Sequence, residues 1–433
     1  MLTLFLRYRG LPTEEIVEAY IGAFGFLFAL WLLVFYMAGL YSKHAVLFRS
    51  EVPRVIFRTQ AFNIALAALL FFLIPQIGIA PKTSLAIYLG LSLFFIFLWR
   101  LWLFPKLSKP VSRERAAVIG SGPEVDELVR EVNNNPRYHL EFVVVQNPAA
   151  LMVEQFGIFA QELKDADVTL VVVDAEHETT RPLLPAVYEL TIASDRFQYA
   201  DFYKVYEEVF DRVPLSLLRY DWFLKNITRS QTNFYSITKR LIDIVGGLMM
   251  GLITIVLTPF IFLAMKLEGP GELFIAQERL GEGGRRMRAY KFRSMSFNNS
   301  ASKDWVGEER VNKVTRVGGI LRTISLDEFP QFLNILKGEL SLIGPRNDIL
   351  GLGERLAEEI PYYNVRYAVK PGISGWAQIN QQYEQGKLSP QSVEETRVRL
   401  AYDFYYIKHR SFALDIVIAL KTVKRMLFRV SSW

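Results

Sequence analysis

The sequence predicts a membrane protein of mixed α+β class in three parts. These are an N-terminal bundle of transmembrane helices over residues 1–110, an α/β module over 111–230, and a C-terminal domain over 236–433 entered through a membrane-embedded helix. Three observations predict it. The chain opens with apolar runs at 19–40, 61–80 and 84–104, each of about 20 residues and so long enough to cross a bilayer core as a helix. A strand, a Gly-x-Gly turn and a helical pattern then follow one another near residue 120. A further apolar run, Leu241 to Leu267, is interrupted by Thr258-Pro259 and carries positive charge on both flanks.

Composition narrows the chemistry. The 433 residues leave room for two or three domains, and 51% hydrophobic with 14% aromatic content is rich for a purely soluble chain. The formal charge of +6 sits largely beside apolar runs, which suits lipid headgroups or phosphorylated substrates and argues against nucleic acid as a partner. Without cysteine there is no disulfide, no thiolate nucleophile and no cysteine-ligated zinc. The histidines, His44, His139, His177 and His409, are scattered and form no metal-binding spacing. Acid–base and nucleophilic work therefore falls to carboxylates, lysines, tyrosines or hydroxyls.

In the N-terminal part, Trp31, Tyr36, Tyr41, Tyr88, Trp99 and Trp102 are candidate interfacial anchors. Lys43, Arg49, Arg54 and Arg58 follow the first run, Lys106, Lys109, Arg113 and Arg115 follow the third, and only Lys82 separates the second from the third. The positive-inside rule then puts the first connection and everything beyond Leu107 in the cytoplasm, with the N-terminus outside. Arg7 and Arg9 sit awkwardly there, and residues 3–9, TLFLRYR, have the look of the tail of a preceding helix.

Ala116 to Ile119 reads as a buried strand, Gly120-Ser-Gly122 as a tight turn, and Glu124 to about Val132 as a helix. Strands at Phe142–Val145 and Val168–Val173 follow, so the module is Rossmann-like. Its fingerprint is degenerate: Val125 takes the third glycine position, and Gln146-Asn147 supplies no acid for a ribose. A structural or regulatory role fits better than dinucleotide binding.

The run from Leu241 to Leu267 could span the bilayer, but two features oppose this. Lys239 and Arg240 precede it and Lys266, Arg279, Arg285, Arg286, Arg288, Lys291 and Arg293 follow it. Spanning would also carry the C-terminal domain outside, away from activated substrates. A proline removes a backbone donor in mid-helix, so Thr258-Pro259 is expected to break a re-entrant helix that returns to the same face, with Lys239, Arg240 and Asp243 as its membrane-surface anchor. The last stretch, Leu414 to Arg429, reads as an interfacial helix.

The densest chemistry lies between Arg322 and Arg346, where Asp327-Glu328 opens an amphipathic helix carrying Phe329, Phe332, Leu333 and Leu336, ended by Lys337-Gly338. Asp327 could be no more than an N-cap, a placement that puts Pro330 where no intrahelical partner is needed. The surroundings favour chemistry instead. Arg322 precedes the pair, Gly344-Pro345-Arg346 presents a second guanidinium, and Lys291 and Arg293 add further phosphate-binding groups. Paired carboxylates near a diphosphate also make a Mg²⁺ site from Asp327 and Glu328.

These residues fall in a series of motifs: KRLID at 239–243, Thr258-Pro259, QERLG at 277–281, YKFRSM at 290–295, the 322–346 block, and KPGISGWAQIN at 370–380. In that order they resemble the bacterial polyprenyl-phosphate hexose-1-phosphate transferases, the monotopic phosphoglycosyl transferases, over 236–433. The N-terminal parts resemble the larger members, which add a four-helix membrane bundle and a degenerate Rossmann-like domain. The resemblance implies that Asp327 attacks the β-phosphorus of a UDP-sugar, releasing UMP, and that undecaprenyl phosphate then takes the phosphosugar. Glu328 would serve as general acid/base or Mg²⁺ ligand, and Arg322 and Arg346 match the phosphate-binding arginines. It implies glucose or galactose as the sugar and exopolysaccharide, capsule or O-antigen synthesis as the setting. The implied site is the cytoplasmic face of the bacterial inner membrane, and a homodimer is left open. Asn347 and Lys370 depart from the usual proline and arginine of their motifs, and only three spans stand where the larger members have four. Two other readings compete: a nicotinamide-dependent enzyme in 113–230, and a non-catalytic membrane scaffold.

Overall fold

The computed structural model describes the chain except residues 1, 9, 11–12, 38–51, 74–81, 104–112, 137, 193–195, 216–217, 228–232, 296–313, 382–389 and 430–433. Two compact units divide it, one of Met1–Ala116, Val129–Val143 and Ala166–Thr169, the other of Ala117–Leu128, Val144–Asp165 and Leu170–Trp433.

The first unit is led by helices Leu2–Tyr8, Glu14–Met37, Val52–Leu73 and Lys82–Phe97, the last running on as a wider turn over Leu98–Leu103. The apolar runs at 19–40 and 84–104 match helices closely, whereas the helix of the second run begins nine residues before its expected start and takes Arg54 and Arg58 into its first turns. Leu27, Trp31, Ala67 and Leu85 form the packing centre of these helices. Trp31 stacks on Tyr88 at 4.4 Å and donates its indole N–H to the Asn63 carbonyl at 3.1 Å. Both rings are therefore committed to helix packing rather than to an interface, because an indole donor buried between helices is satisfied by a backbone acceptor there. Trp99 is exposed, as an anchor requires. Tyr41, Lys43, Arg49, Lys106 and Lys109 lie outside the described residues, and the side chains of Tyr36 and Trp102 do too. Phe26, Phe28, Leu33, Phe57, Phe94 and Phe95 leave these helices with apolar outer faces.

The α/β module has a four-stranded sheet of β1 (Glu114–Ile119), β2 (Leu140–Gln146), β3 (Leu170–Val173) and β4 (Gln198–Asp201), in the order β2-β1-β3-β4. β3 and β4 are parallel, and the bonds Gly120 N–H to Gln146 O and Asp174 N–H to Ile119 O join matching strand ends. β4 is an element that the sequence reading lacked. Its pattern of exposed and half-buried residues carries no apolar run. Gly122 turns the chain at φ 114° into the helix Pro123–Asn134. Asp201 caps the helix Phe202–Phe210 by accepting from Lys204 N–H. Segment 202–227 belongs to the module by sequence, yet Tyr203, Val213, Leu218, Trp222 and Phe223 share one hydrophobic core with Tyr363, Leu400, Phe404 and Ile407. Glu207 fastens the same segment by accepting from Lys408 at 2.8 Å and contacting His409 at 2.8 Å.

A single helix, Asn233–Glu268, carries the last apolar run. It is long and apolar enough to cross a membrane by length and composition. The interruption expected at Thr258-Pro259 is absent as a gap: the helix continues through Pro259 for another nine residues. One missing donor costs one ladder bond, and the bonds on either side carry the helix past it. Thr258 Oγ1 donates to the Thr254 carbonyl at 2.6 Å, and Thr254 to Met250 at 2.7 Å, a back-bonding pattern that bends helices. Asp243, Gly247, Gly251, Thr254, Ile261 and Met265 are buried on one face, whereas Leu248, Leu252, Val256, Phe260 and Leu267 are exposed on the others. A Cβ on Gly251 would lie 2.8 Å from the Phe332 ring, so the glycine lets the helices Asn233–Glu268 and Phe332–Lys337 touch.

Lys239, Arg240 and Asp243, expected as membrane-surface anchors, are each bonded within the helix's own domain. Arg240 donates to the carbonyls of Ile335 and Leu336, both at 2.7 Å, and so caps the C-terminal end of Phe332–Lys337. Asp243 accepts from Ser341 Oγ and Leu342 N–H, both at 2.9 Å, and Lys239 donates to Asp415 at 2.8 Å. The charges fasten the helix to its own domain because open carbonyls and amides await them there. The closing helix, Phe412–Arg429, turns Lys421 and Arg425 inward onto Asn380 and the Gln378 carbonyl, and leaves Phe412, Ile416 and Val423 exposed.

Candidate active site

A hairpin of β5 (Phe274–Leu280) and β6 (Arg286–Phe292) forms one wall of the site. Alternation along β6 turns Met287, Ala289 and Lys291 to one side, where they meet the segment 326–335. The helix Arg316–Thr323 leads into that segment. Thr315 caps it, Glu268 accepts from its first free amides at Arg316 and Val317, and it ends near Arg322.

Asp327 is not a helix N-cap. Ser325 adopts a left-handed conformation at φ 57°, and the chain then makes a 3₁₀ turn over Leu326–Gln331 before the helix Phe332–Lys337. A 3₁₀ turn suits Pro330, which cannot donate to the ladder of a longer helix. The turn aims Asp327 and Glu328 at the cations. Gly338 at φ 84° ends the helix, as its sequence position suggests.

Glu328 Oε1 accepts from Lys291 Nζ at 2.8 Å and from Arg346 at 2.9 Å. Burial pushes this carboxyl up, but Arg346 and Lys291 outweigh burial and hold it well below the usual carboxylate range. The lysine moves down, chiefly because it is desolvated and because Arg279 and Arg346 stand near it. Asp327 differs from its neighbour. Its carboxylate makes no hydrogen bond among the described residues, and burial pushes its pKa up, with Lys291 opposing and the Glu328 charge reinforcing the rise. Arg322 and Arg346 also act on Asp327 as nearby positive charges.

Arg346 is held from behind. A Cβ on Gly372 would sit 2.1 Å from Gly344 N, and the Gly372 amide donates to the Pro345 carbonyl at 2.9 Å, so the 344–346 turn lies directly on the strand β8 (Gly372–Ser374) beside β7 (Ser341–Ile343). Arg366 donates to the Arg346 carbonyl at 2.7 Å. It also binds Asp348 and Asp403, while Arg399, Tyr363 and Tyr367 complete the shell of Asp348. All are nearly fully buried, so two arginines and two aspartates neutralise one another inside the core.

Lys291, Glu328, Asp327, Arg322 and Arg346 thus come together. Arg293 does not join them. It donates to the Pro270 carbonyl at 2.7 Å and lies over Gly271. Arg279 is the member that sequence reasoning missed. It donates to the Asn347 carbonyl at 2.8 Å and Asn347 Oδ1 at 3.1 Å, and its charge acts on both Glu328 and Lys291. The departure at Asn347 is accordingly compensated, since its two oxygens tie the turn to β5. The signal for Arg279 was its place in QERLG, a motif recognised without a role for its arginine.

An acid with no hydrogen bond among the described residues, beside an acid clamped between two cations on a 3₁₀ turn, is an arrangement of charge that suits an anionic substrate. The profile of the family described as bacterial sugar transferase matches residues 234–429. An Aeromonas hydrophila UDP-N-acetylgalactosamine-undecaprenyl-phosphate N-acetylgalactosaminephosphotransferase is 42% identical over 163 residues, 38% of this chain and 37% of that protein. An Escherichia coli UDP-glucose:undecaprenyl-phosphate glucose-1-phosphate transferase is 34% identical over 241 residues, 56% of this chain and 47% of that protein. An exopolysaccharide production protein of Rhizobium leguminosarum is 35% identical over 199 residues, 45% of this chain and 96% of that protein. This chain belongs to the bacterial sugar transferase family. It spans less than half the length of the Aeromonas and Escherichia relatives.

Proposed function

We propose that the chain transfers a sugar 1-phosphate from a UDP-sugar to undecaprenyl phosphate, as the first membrane step of exopolysaccharide, capsule or O-antigen synthesis. The observation that carries this reading is the contrast within the acid pair: Glu328 is clamped by Lys291 and Arg346, and Asp327 makes no hydrogen bond among the described residues. A desolvated carboxylate with raised basicity is a good nucleophile once ionised. Asp327 attacks the β-phosphorus, the bond from that phosphorus to the bridging oxygen breaks, and UMP departs with the oxygen. An oxygen of the lipid phosphate then attacks the same phosphorus, restoring the Asp327 carboxylate and giving the lipid diphosphosugar. Arg322 and Arg346 stabilise the charge on the phosphoryl oxygens. Glu328, being ionised, holds Lys291 and Arg346 in place rather than donating a proton.

The donor set suits Mg²⁺ through Asp327, whose oxygens accept no hydrogen bond among the described residues, better than through Glu328, whose Oε1 already serves two cations. Bound there with diphosphate oxygens, Mg²⁺ would neutralise part of the substrate charge. Glucose and galactose are the first donors to try, and the name of the Aeromonas relative adds N-acetylgalactosamine.

The length and apolar composition of the helix Asn233–Glu268 support a membrane placement. Its buried face runs from Asp243 to Met265, about 33 Å at ~1.5 Å per residue, and packs on the domain throughout. A bilayer-spanning helix would have lipid around that length. The packed face supports a helix bound to its own domain at the membrane, with the site on the cytoplasmic face, and the apolar N-terminal helices crossing the bilayer.

The test is UMP release from purified protein in lipid given undecaprenyl phosphate, Mg²⁺ and each UDP-sugar in turn. Release is expected with one donor and is expected to vanish in Asp327→Asn. Undiminished release by that variant would refute the nucleophile.

A further inference from the structure

Mostly on the side of β6 opposite Lys291, with Met287 reaching it from the Lys291 side, lies an open cavity of about 320 Å³ lined by Glu278, Arg286, Met287, Arg288, Tyr290, Lys337 and Glu339. Its charges do not neutralise one another. Arg288 stands directly across the hairpin from Glu278, yet among the described residues no salt bridge joins Arg286, Arg288 or Lys337 to Glu278 or Glu339. Arg286 reaches only Glu354, at 3.9 Å and outside the cavity. Glu339 is held in place by the Asn334 amide at 2.7 Å, and Lys337 lies 5.5 Å above the Tyr290 ring. The result is a groove with guanidinium and ammonium groups, carboxylates and an aromatic face, none of which uses up its neighbours.

That combination matches one ligand chemistry. Two arginines and a lysine suit a phosphate, with the arginines able to bind it bidentately. Carboxylates are acceptors only, and a polyol supplies the hydroxyl donors they lack. A tyrosine face suits the apolar side of a sugar or base ring. We propose that this groove is a second, non-catalytic binding site for a phosphorylated sugar, with the phosphate on Arg286, Arg288 and Lys337 and the ring hydroxyls on Glu278 and Glu339. The alternation of β6 keeps it apart from the reacting acids, because Tyr290 and Lys291 face opposite sides.

The experiment uses the full chain in nanodiscs of neutral lipid, in the Asp327→Asn background so that no turnover intervenes. Equilibrium dialysis measures glucose 1-phosphate, UMP and inorganic phosphate against three further changes. Arg288→Ala and Lys337→Ala each remove a lining cation, and Arg285→Ala removes an exposed one outside the cavity. Glucose 1-phosphate or UMP is expected to bind, at least tenfold more weakly in each lining variant and unchanged in Arg285→Ala. The tighter of the two identifies the occupant. Equal binding in all variants would overturn the proposal, and so would inorganic phosphate binding as tightly as the sugar phosphates, since the carboxylates would then have no role. Because the readout is binding, a failure of the transfer reaction itself would leave this result standing.

Discussion

Replacing Glu328 with glutamine tests what that carboxylate does. The variant keeps the shape and the Oε1 acceptor but removes the charge that receives Lys291 at 2.8 Å and Arg346 at 2.9 Å. Hydrogen bonds to charged groups contribute about 1.5–3 kcal/mol each, and neutral acceptors about 1. Losing the charge from two such bonds therefore removes roughly 1–4 kcal/mol, and the cations are then left facing each other across a neutral amide. The side chains are between 13% and 27% exposed, so solvent screens little of this. The expected outcome is a folding free energy lower by about 2–3 kcal/mol in denaturant melts of the detergent-solubilised protein, with UMP release reduced through misplacement of Arg346. If Glu328→Gln melted like the parent while UMP release disappeared, Glu328 would be a proton carrier and the clamp argument would fail.

Two further outcomes follow from the same site. On the proposed mechanism Asp327 must be ionised to attack, and its pKa is raised from 3.8, so the acidic limb of the pH–rate profile is expected above the range of an ordinary aspartate. A limb at or below that ordinary value would contradict the burial argument. Asp348→Asn leaves Arg366 and Arg399 buried beside too little negative charge, a change expected to cost about 3–5 kcal/mol and to loosen the Arg346 turn. Circular dichroism melts would reveal the loss, and an unchanged melt would mean that the network does not hold the turn.

Much of the site was legible because its residues are local or motif-bound. Asp327, Glu328, Lys291, Arg322 and Arg346 each sit in a short pattern whose chemistry can be named from side-chain type alone. What escaped depends on contacts distant in sequence. Arg279 reads as an exposed strand residue until the 344–348 turn, 68 residues later at Asn347, folds over it. Arg240 beside an apolar run looks like a headgroup anchor, because a sequence does not display the open carbonyls of Ile335 and Leu336 that it caps. The helix start expected at Asp327-Glu328 became a 3₁₀ turn for a local reason, since a left-handed Ser325 is hard to anticipate where glycine is the usual choice. Pro259 was weighted as a stop when the packed face of its helix carries the chain through.

That packed face also sets an order of events during synthesis. Asp243 emerges from the ribosome 99 residues before Leu342, whose amide it accepts. At roughly 5–20 residues per second, the interval is about 5–20 s. Throughout it the nascent helix has its apolar sides ready for lipid and its buried acid unmatched, so on the proposed placement insertion comes before completion of the domain that will later cover it. On the proposed membrane placement, the C-terminal domain is assembled onto a helix already at the membrane, rather than folded in water and delivered there.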